Sequence, residues 1–359
     1  MKIDNNIKEF NFFVSGCLAF LLSSCVSSAS IYSLCEKDDH GNYVVKWEVS
    51  PDPQKGQVEI FSSTNDASLK NSKNPSLVTN VEDRVATLRS SSKNVRDFFQ
   101  LKANNSYSGI ITNRHIGFDV IQNFRDLGGY FNDEDKQLRW GKLFRSGNLF
   151  AITRQDLQTL KNLEIKTVVD LRNEKESRAF PDGFLGFLHF QIPIDTLNTF
   201  ELQKKIATGT FLKGDALIYM QDSYLYILEQ KTRELKQIFD ILLDEKNYPI
   251  LLHDNLGKDR IGIISYLILK SLNVSTEDAI NDYLLSNDYI DLDEYTKLMS
   301  QMPESIQEAM TVIVRADENY IDFAFGQIVK KYGSSDLYFE KALGLTPAKR
   351  EKLKKIMSY

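Results

Sequence analysis

Pro249-Ile250-Leu251-Leu252-His253-Asp254-Asn255-Leu256-Gly257-Lys258-Asp259-Arg260-Ile261-Gly262 is an apolar run that breaks into a polar, glycine-bearing loop and then enters the apolar stretch Ile261 to Leu272. The run reads as a buried strand and the stretch as a helix, so the loop joins one to the other. A glycine lets such a loop turn several backbone N–H groups inward, and the start of the helix adds positive potential. That combination cradles a phosphate or sulfate. Arg260 offers a bidentate contact to two of its oxygens, and Lys258 a point charge.

Working upstream, Thr153-Arg154-Gln155-Asp156 has the form of a capping box, with Leu157, Leu160 and Leu163 following at helical spacing. Ile165 to Asp170 then reads as a second buried strand ending in a carboxylate. Strand, helix, strand, loop, helix is the order of an α/β fold with a parallel-rich sheet flanked by helices. Downstream, Thr276 to Tyr359 is helical in period almost throughout. His40, His115 and His189 stand isolated, without metal-ligand spacing. Neither a dinucleotide-binding fingerprint nor a Walker loop occurs, so no metal and no cofactor are expected.

Towards the amino terminus the period changes to two. Tyr43, Val45, Trp47 and Val49 alternate with polar residues or Val44, and Val58 and Ile60, then Phe99, Leu101 and Ala103, repeat the pattern. Pro51, Pro53 and Gly56 supply a turn, and Gly109 to Arg114 is expected to close the unit as a last strand. Residues 36–112 are therefore expected to form a small all-β sandwich, and 113–359 the α/β domain. The Trp-bearing strand and Pro-rich turn resemble a fibronectin type III or immunoglobulin-like module.

Ahead of this module, Lys2 and Lys8 precede a 13-residue apolar run, Phe10 to Leu22, too short to span a bilayer as a helix. It reads as a signal peptide over 1–24. Leu22-Ser23-Ser24-Cys25 resembles the bacterial lipobox, which implies a lipid on Cys25 and an exported protein anchored to a membrane, periplasmic or outward-facing. Residues 25–35 are expected to be a tether. All three cysteines, Cys17, Cys25 and Cys35, lie in this first tenth of the chain, which leaves the α/β domain no thiol at all. With 44 Lys+Arg against 49 Asp+Glu the net charge is −5, so the chain as a whole has no electrostatic reason to bind nucleic acid.

The loop resembles H-C-x-A-G-K-D-R-T-G, the signature of the atypical bacterial tyrosine-protein phosphatases. Further blocks follow in family order: Asn123-Phe124-Arg125-Asp126-Leu127-Gly128-Gly129-Tyr130, Leu143-Phe144-Arg145-Ser146-Gly147, Val169-Asp170-Leu171-Arg172 continuing to Phe180-Pro181-Asp182, Tyr332-Gly333-Ser334-Ser335 and Leu343-Gly344-Leu345-Thr346. The resemblance implies metal-free hydrolysis of a phosphotyrosine protein or other phosphomonoester through a cysteine thiolate. It implies Arg260 as the phosphate-binding arginine, Asp259 as general-acid candidate with Lys258 beside it, and His253 as the residue that orients the loop. By the same resemblance Asn255, Leu256, Gly257 and Ile261 complete the substrate-binding loop, and Asp126, Arg145 and Asp170 lie close to it. An internal ion-pair network is an equally good reading of those last three residues, as backbone hydrogen bonding is of His253.

The nucleophile itself is replaced, since position 254 is aspartate, and Leu256 and Ile261 stand where alanine and threonine are expected. A carboxylate is a far weaker nucleophile than a thiolate. About 4 Å from an incoming phosphate it repels the anion by roughly 4 kcal/mol per charge pair at an effective dielectric near 20. Asp254 is expected instead to pair with Arg260 or to accept the loop N–H groups. Three readings stay open at this point: a catalytically impaired pseudophosphatase, an active tyrosine phosphatase with an artificial or erroneous change at 254, and a surface binding or scaffold lipoprotein that uses the sandwich.

Overall fold

Apolar runs that are buried on both faces go to the middle of a parallel sheet, and alternating runs go to antiparallel sheets with one wet face. The chain contains both. The computed structural model describes residues 29–359 except 54, 70–71, 91–94, 183–185 and 198–199. The leader at 1–24, Cys25 and the start of the tether lie outside the described residues.

The amino-terminal strands are β1 Ser30–Lys37, β2 Tyr43–Ser50, β3 Gln57–Ser63, β4 Leu77–Asn80, β5 Val85–Leu88, β6 Phe98–Ala103 and β7 Ser106–Tyr107. They form two antiparallel sheets, ordered β1-β2-β5 and β4-β3-β6-β7. Tyr43, Val45 and Trp47 of one sheet share a core with Val58, Ile60, Phe99 and Leu101 of the other. The alternation seen in the sequence is thus the inner face of each sheet. Trp47 Nε1 donates to the Val81 carbonyl at 3.1 Å, which satisfies the indole inside this core.

Two expectations need correction here. Residues 30–35, read as tether, belong to β1, which pairs along its whole length with β2. Cys35 is buried there, and burial pushes its thiol up to about 12. Gly109 to Arg114 is not a closing strand: Ile111 makes only an isolated bridge to Phe99. The Gln137 amide takes both backbone groups of Ile110, each at 2.8 Å, and so replaces a strand neighbour.

The third sheet contains β8 Arg125–Asp126, β9 Leu143–Ser146, β10 Thr167–Asp170, β11 Leu188–Gln191 and β12 Ile250–His253. Its order is β11-β10-β12-β9-β8, with only the β8–β9 pair antiparallel. Every residue of β9, β10 and β12 is buried. The register aligns Asp170 with His253 and His253 with Ser146, so three strands end at one level. Loops leaving the carboxyl ends of parallel strands are where such sheets place ligands. From β12 the chain passes through residues 254–258 into the helix Asp259–Ser271, which is buried on nearly all sides.

Beside the Gln137–Ile110 contact, Arg96 joins the two parts through a charge. Its guanidinium reaches the buried Asp126 carboxylate at 2.5 Å, donates to the Asn113 carbonyl, and lies over the Trp140 ring at 5.2 Å.

Candidate active site

The loop after β12 is shaped by contacts to its outward-facing carbonyls. Asn148 donates to the Asn255 carbonyl at 3.0 Å, Asn123 Nδ2 to that of Leu256 at 2.9 Å and Arg145 Nη2 to that of Gly257 at 2.6 Å. Gly257 has φ +67°, and a Cβ there would stand 2.5 Å from the Ser146 carbonyl carbon and oxygen. No side chain fits this crossing.

With the carbonyls held outside, N–H groups converge on Asp254. Its Oδ1 accepts from Leu256 N at 3.0 Å and Gly257 N at 2.5 Å, and its Oδ2 lies 3.4 Å from both Ile261 N and Arg260 Nε. Both outcomes expected of this carboxylate therefore occur together, with the Gly257 contact the shorter. Arg260 presents its Nε side to Asp254, while Nη1 and Nη2 are clasped by Glu176 at 2.7 and 3.1 Å. Burial alone would disfavour the Arg260 cation, but Asp254 and Glu176 outweigh it and hold its pKa above the ordinary arginine value. Glu176 is half-buried, which works against its charge, yet Arg260 keeps its carboxyl below the usual range.

Glu176 is the functional residue that the sequence reading missed. It is the third residue of the helix Glu174–Ala179, capped reciprocally with Asn173, and its Oε1 also accepts from Asn255 Nδ2 at 2.7 Å. The signal was present as Asn173-x-x-Glu176, a capping-box pattern immediately after Asp170-Leu171-Arg172. Asp282 was missed as well. It lies between two fully buried arginines, 2.7 Å from Arg145 Nη1 and 3.3 Å from Arg125 Nε. Burial and the neighbouring Arg125 push Arg145 down to about 10. The Asp282 carboxyl stays low against its own burial because of the two cations.

Several sequence-derived candidates do not face the loop. Lys258 is buried and donates to the Ile313 and Arg315 carbonyls at 2.9 and 3.3 Å and pairs with Asp259 at 2.8 Å, so it anchors a helix end rather than offering charge to a phosphate. Asp259 also accepts from Tyr224 Oη at 2.8 Å. The Asp126 carboxylate is taken by Arg96 and by the N–H groups of Gly128 and Gly141. Asp170 pairs with Arg172 through both oxygens. Arg145 supports the loop backbone from beneath. For Asp126, Arg145 and Asp170 the network reading therefore describes the contacts made. His253 is fully buried, but backbone hydrogen bonding is not its role: neither ring nitrogen makes a hydrogen bond. Leu256 is half-buried, and the Ile261 side chain lies in the main core.

A glycine-turned loop between a parallel strand and a helix, closed by an arginine with its own carboxylate clasp, has the form of a phosphatase loop, here filled by Asp254. Residues 116–359 match the tyrosine phosphatase family, and the chain belongs to it. A candidate tyrosine-protein phosphatase of Cupriavidus necator is 29% identical over 238 residues, 65% of this chain and 86% of that protein. The triple specificity protein phosphatase PtpB of Mycobacterium tuberculosis is 28% identical over 213 residues, 52% of this chain and 72% of its own length. Among solved structures, Pseudomonas aeruginosa TpbA overlaps 54% of this chain and 90% of its own at 17% identity, with a TM-score of 0.25.

Proposed function

We propose that this chain is a pseudophosphatase, a tyrosine-phosphatase-family domain that has lost turnover and is retained for recognition or scaffolding. The observation that carries the reading is the Asp254 carboxylate, seated against the N–H groups of Leu256 and Gly257 and facing Arg260. Those groups are the ones a phosphoryl anion would need. Fixed donors stabilise charge that develops during a reaction only if they are free to meet it. Here they meet a resident anion, and no thiolate is available to attack phosphorus.

On this reading a phosphotyrosine protein or related phosphomonoester is the ancestral substrate class. The amino-terminal unit acts as a fibronectin III- or immunoglobulin-like sandwich that either spaces the domain from a membrane or binds a partner. Support for a fixed union comes from Arg96, which joins the two parts through a buried ion pair. The full-length protein is expected to release no phosphate above the blank from para-nitrophenyl phosphate or a phosphotyrosine peptide between pH 5 and 8. Turnover that disappears in Arg260→Ala would overturn the proposal.

Export and lipid anchoring through Cys25 are part of the same proposal, supported by the short apolar run and Leu22-Ser23-Ser24-Cys25. In a bacterial host, a clickable fatty acid should label the protein, and Cys25→Ala should abolish the label. Labelling that persists in this variant counts against the anchor.

A further inference from the structure

Four potential metal donors, scattered in the sequence without ligand spacing, converge at the ends of the parallel strands. Asp170 closes β10 and His253 closes β12 beside it in register. His189 lies on β11, two residues before Gln191, the partner of Asp170 on its other side. Asp182 precedes β11. One ligand atom from each of the four lies within 4.8 Å of all the others. Ligands about 2.0–2.2 Å from a tetrahedral ion stand roughly 3.3–3.6 Å apart, so a modest inward movement of the side chains closes the set.

His253 gives the cluster direction. It is 0% exposed and aims Nε2 at the two carboxylates, 3.4 Å from Asp182 Oδ2 and 3.7 Å from Asp170 Oδ1, with no hydrogen bond at either nitrogen. Asp182 Oδ1 is likewise buried without a hydrogen-bond partner. Groups this deep are normally satisfied, so two left without hydrogen bonds in one cluster mark it as a place suited to a ligand. An open cleft of about 390 Å³, with Asp170, Arg172, Asp182 and His189 among its walls, gives access to the cluster.

Charge selects the ion. Arg172 reaches Asp170 Oδ2 at 2.8 Å and Asp182 Oδ2 at 2.7 Å, so one guanidinium offsets only one of the two carboxylates. Magnesium and calcium draw their binding from several oxygen ligands whose charge is not already cancelled. Imidazole with carboxylate suits zinc and its neighbours, and Arg172 would serve as the outer partner that orients the carboxylates. We propose that Asp170, Asp182, His189 and His253 bind one divalent ion of the zinc class. The site is distinct from the phosphate loop and does not depend on whether Asp254 silences it.

The test uses full-length protein stripped with a chelator and titrated with Zn²⁺ against a chromophoric competitor, then with Co²⁺ read by its visible absorption. The expected result is one saturable equivalent whose cobalt form has the intense bands of four- or five-coordination. His189→Ala, at a partly exposed position, and Asp182→Asn should each weaken that equivalent by at least about tenfold with the far-UV circular dichroism unchanged. His40→Ala should leave it unaltered. If Asp182→Asn does not fold, His189→Ala alone decides. Absence of a saturable equivalent, or one whose affinity is the same in His189→Ala, as binding by the amino-terminal cysteines would give, overturns the proposal.

Discussion

Asp254→Cys combined with Ile261→Thr should raise phosphate release from para-nitrophenyl phosphate by at least about 10³-fold over the unaltered chain, equivalent to about 4 kcal/mol of barrier. The sulfur would replace a carboxylate already surrounded by the N–H groups of Leu256 and Gly257, at the start of the helix Asp259–Ser271. Such a position lowers a thiol's pKa and supplies the thiolate that the reaction requires. Arg260 needs no rearrangement, because Glu176 holds it from the far side. The threonine adds a hydroxyl where Ile261 has only methyl groups, so Asp254→Cys alone should give a smaller gain. A folded double variant as silent as the unaltered chain would show that the loss extends beyond position 254. Asp259, held by Tyr224 and Lys258, would then be the first suspect.

Asp282→Ala should be the most destabilising single change in the domain, costing about 3–5 kcal/mol, the usual cost of breaking a buried ion pair from one side. Two arginines are affected together. Arg125 and Arg145 are both 0% exposed, and each pairs with this carboxylate. Tyr130 Oη, 3.3 Å from Asp282 Oδ1, would lose that partner as well. Arg145 also carries the Gly257 carbonyl, so the injury reaches the loop. The check is urea unfolding followed by tyrosine and tryptophan fluorescence, with Asp282→Asn as a milder companion that keeps hydrogen-bonding capacity. A loss below about 1 kcal/mol for Asp282→Ala would mean that water reaches the arginines.

Local pattern carried much of the architecture. The alternation at Tyr43, Val45 and Trp47 marks a sheet face, and the continuous runs at Thr167–Asp170 and Ile250–His253 mark strands covered on both sides. Thr153 caps its helix as its spacing from Asp156 requires. Residues 30–35 of the edge strand β1 read as tether because one face carries Ser30, Tyr32, Leu34 and Glu36 and, on the other, Cys35 alone is fully buried. An edge strand with a wet face has little apolar period to read.

The site divides in the same way. The glycine at 257 and the arginine at 260 lie within one short segment, where spacing fixes geometry. The Asn173 capping box marks Glu176 as a helix start but not as the partner of Arg260; that contact, Asp282 between its two arginines and the grouping of His189 with His253 are set by packing between segments tens of residues apart. Lys258 was legible as a charge but not in direction, because whether it faces the loop or the Ile313 carbonyl depends on where a helix some 50 residues further along the chain comes to rest.

Equilibrium binding of orthovanadate to the unaltered chain and to Asp254→Ala, at pH 7 and equal ionic strength, asks most directly whether a resident carboxylate occupies the anion seat. With the carboxylate gone, the loop N–H groups and Arg260 are released to an external oxyanion, and affinity should rise at least about 100-fold, as removal of one close like-charge pair implies. Equal or tighter binding by the unaltered chain, or a covalent vanadium–oxygen bond to Asp254, would contradict a self-filled loop and return Asp254 to the role of nucleophile.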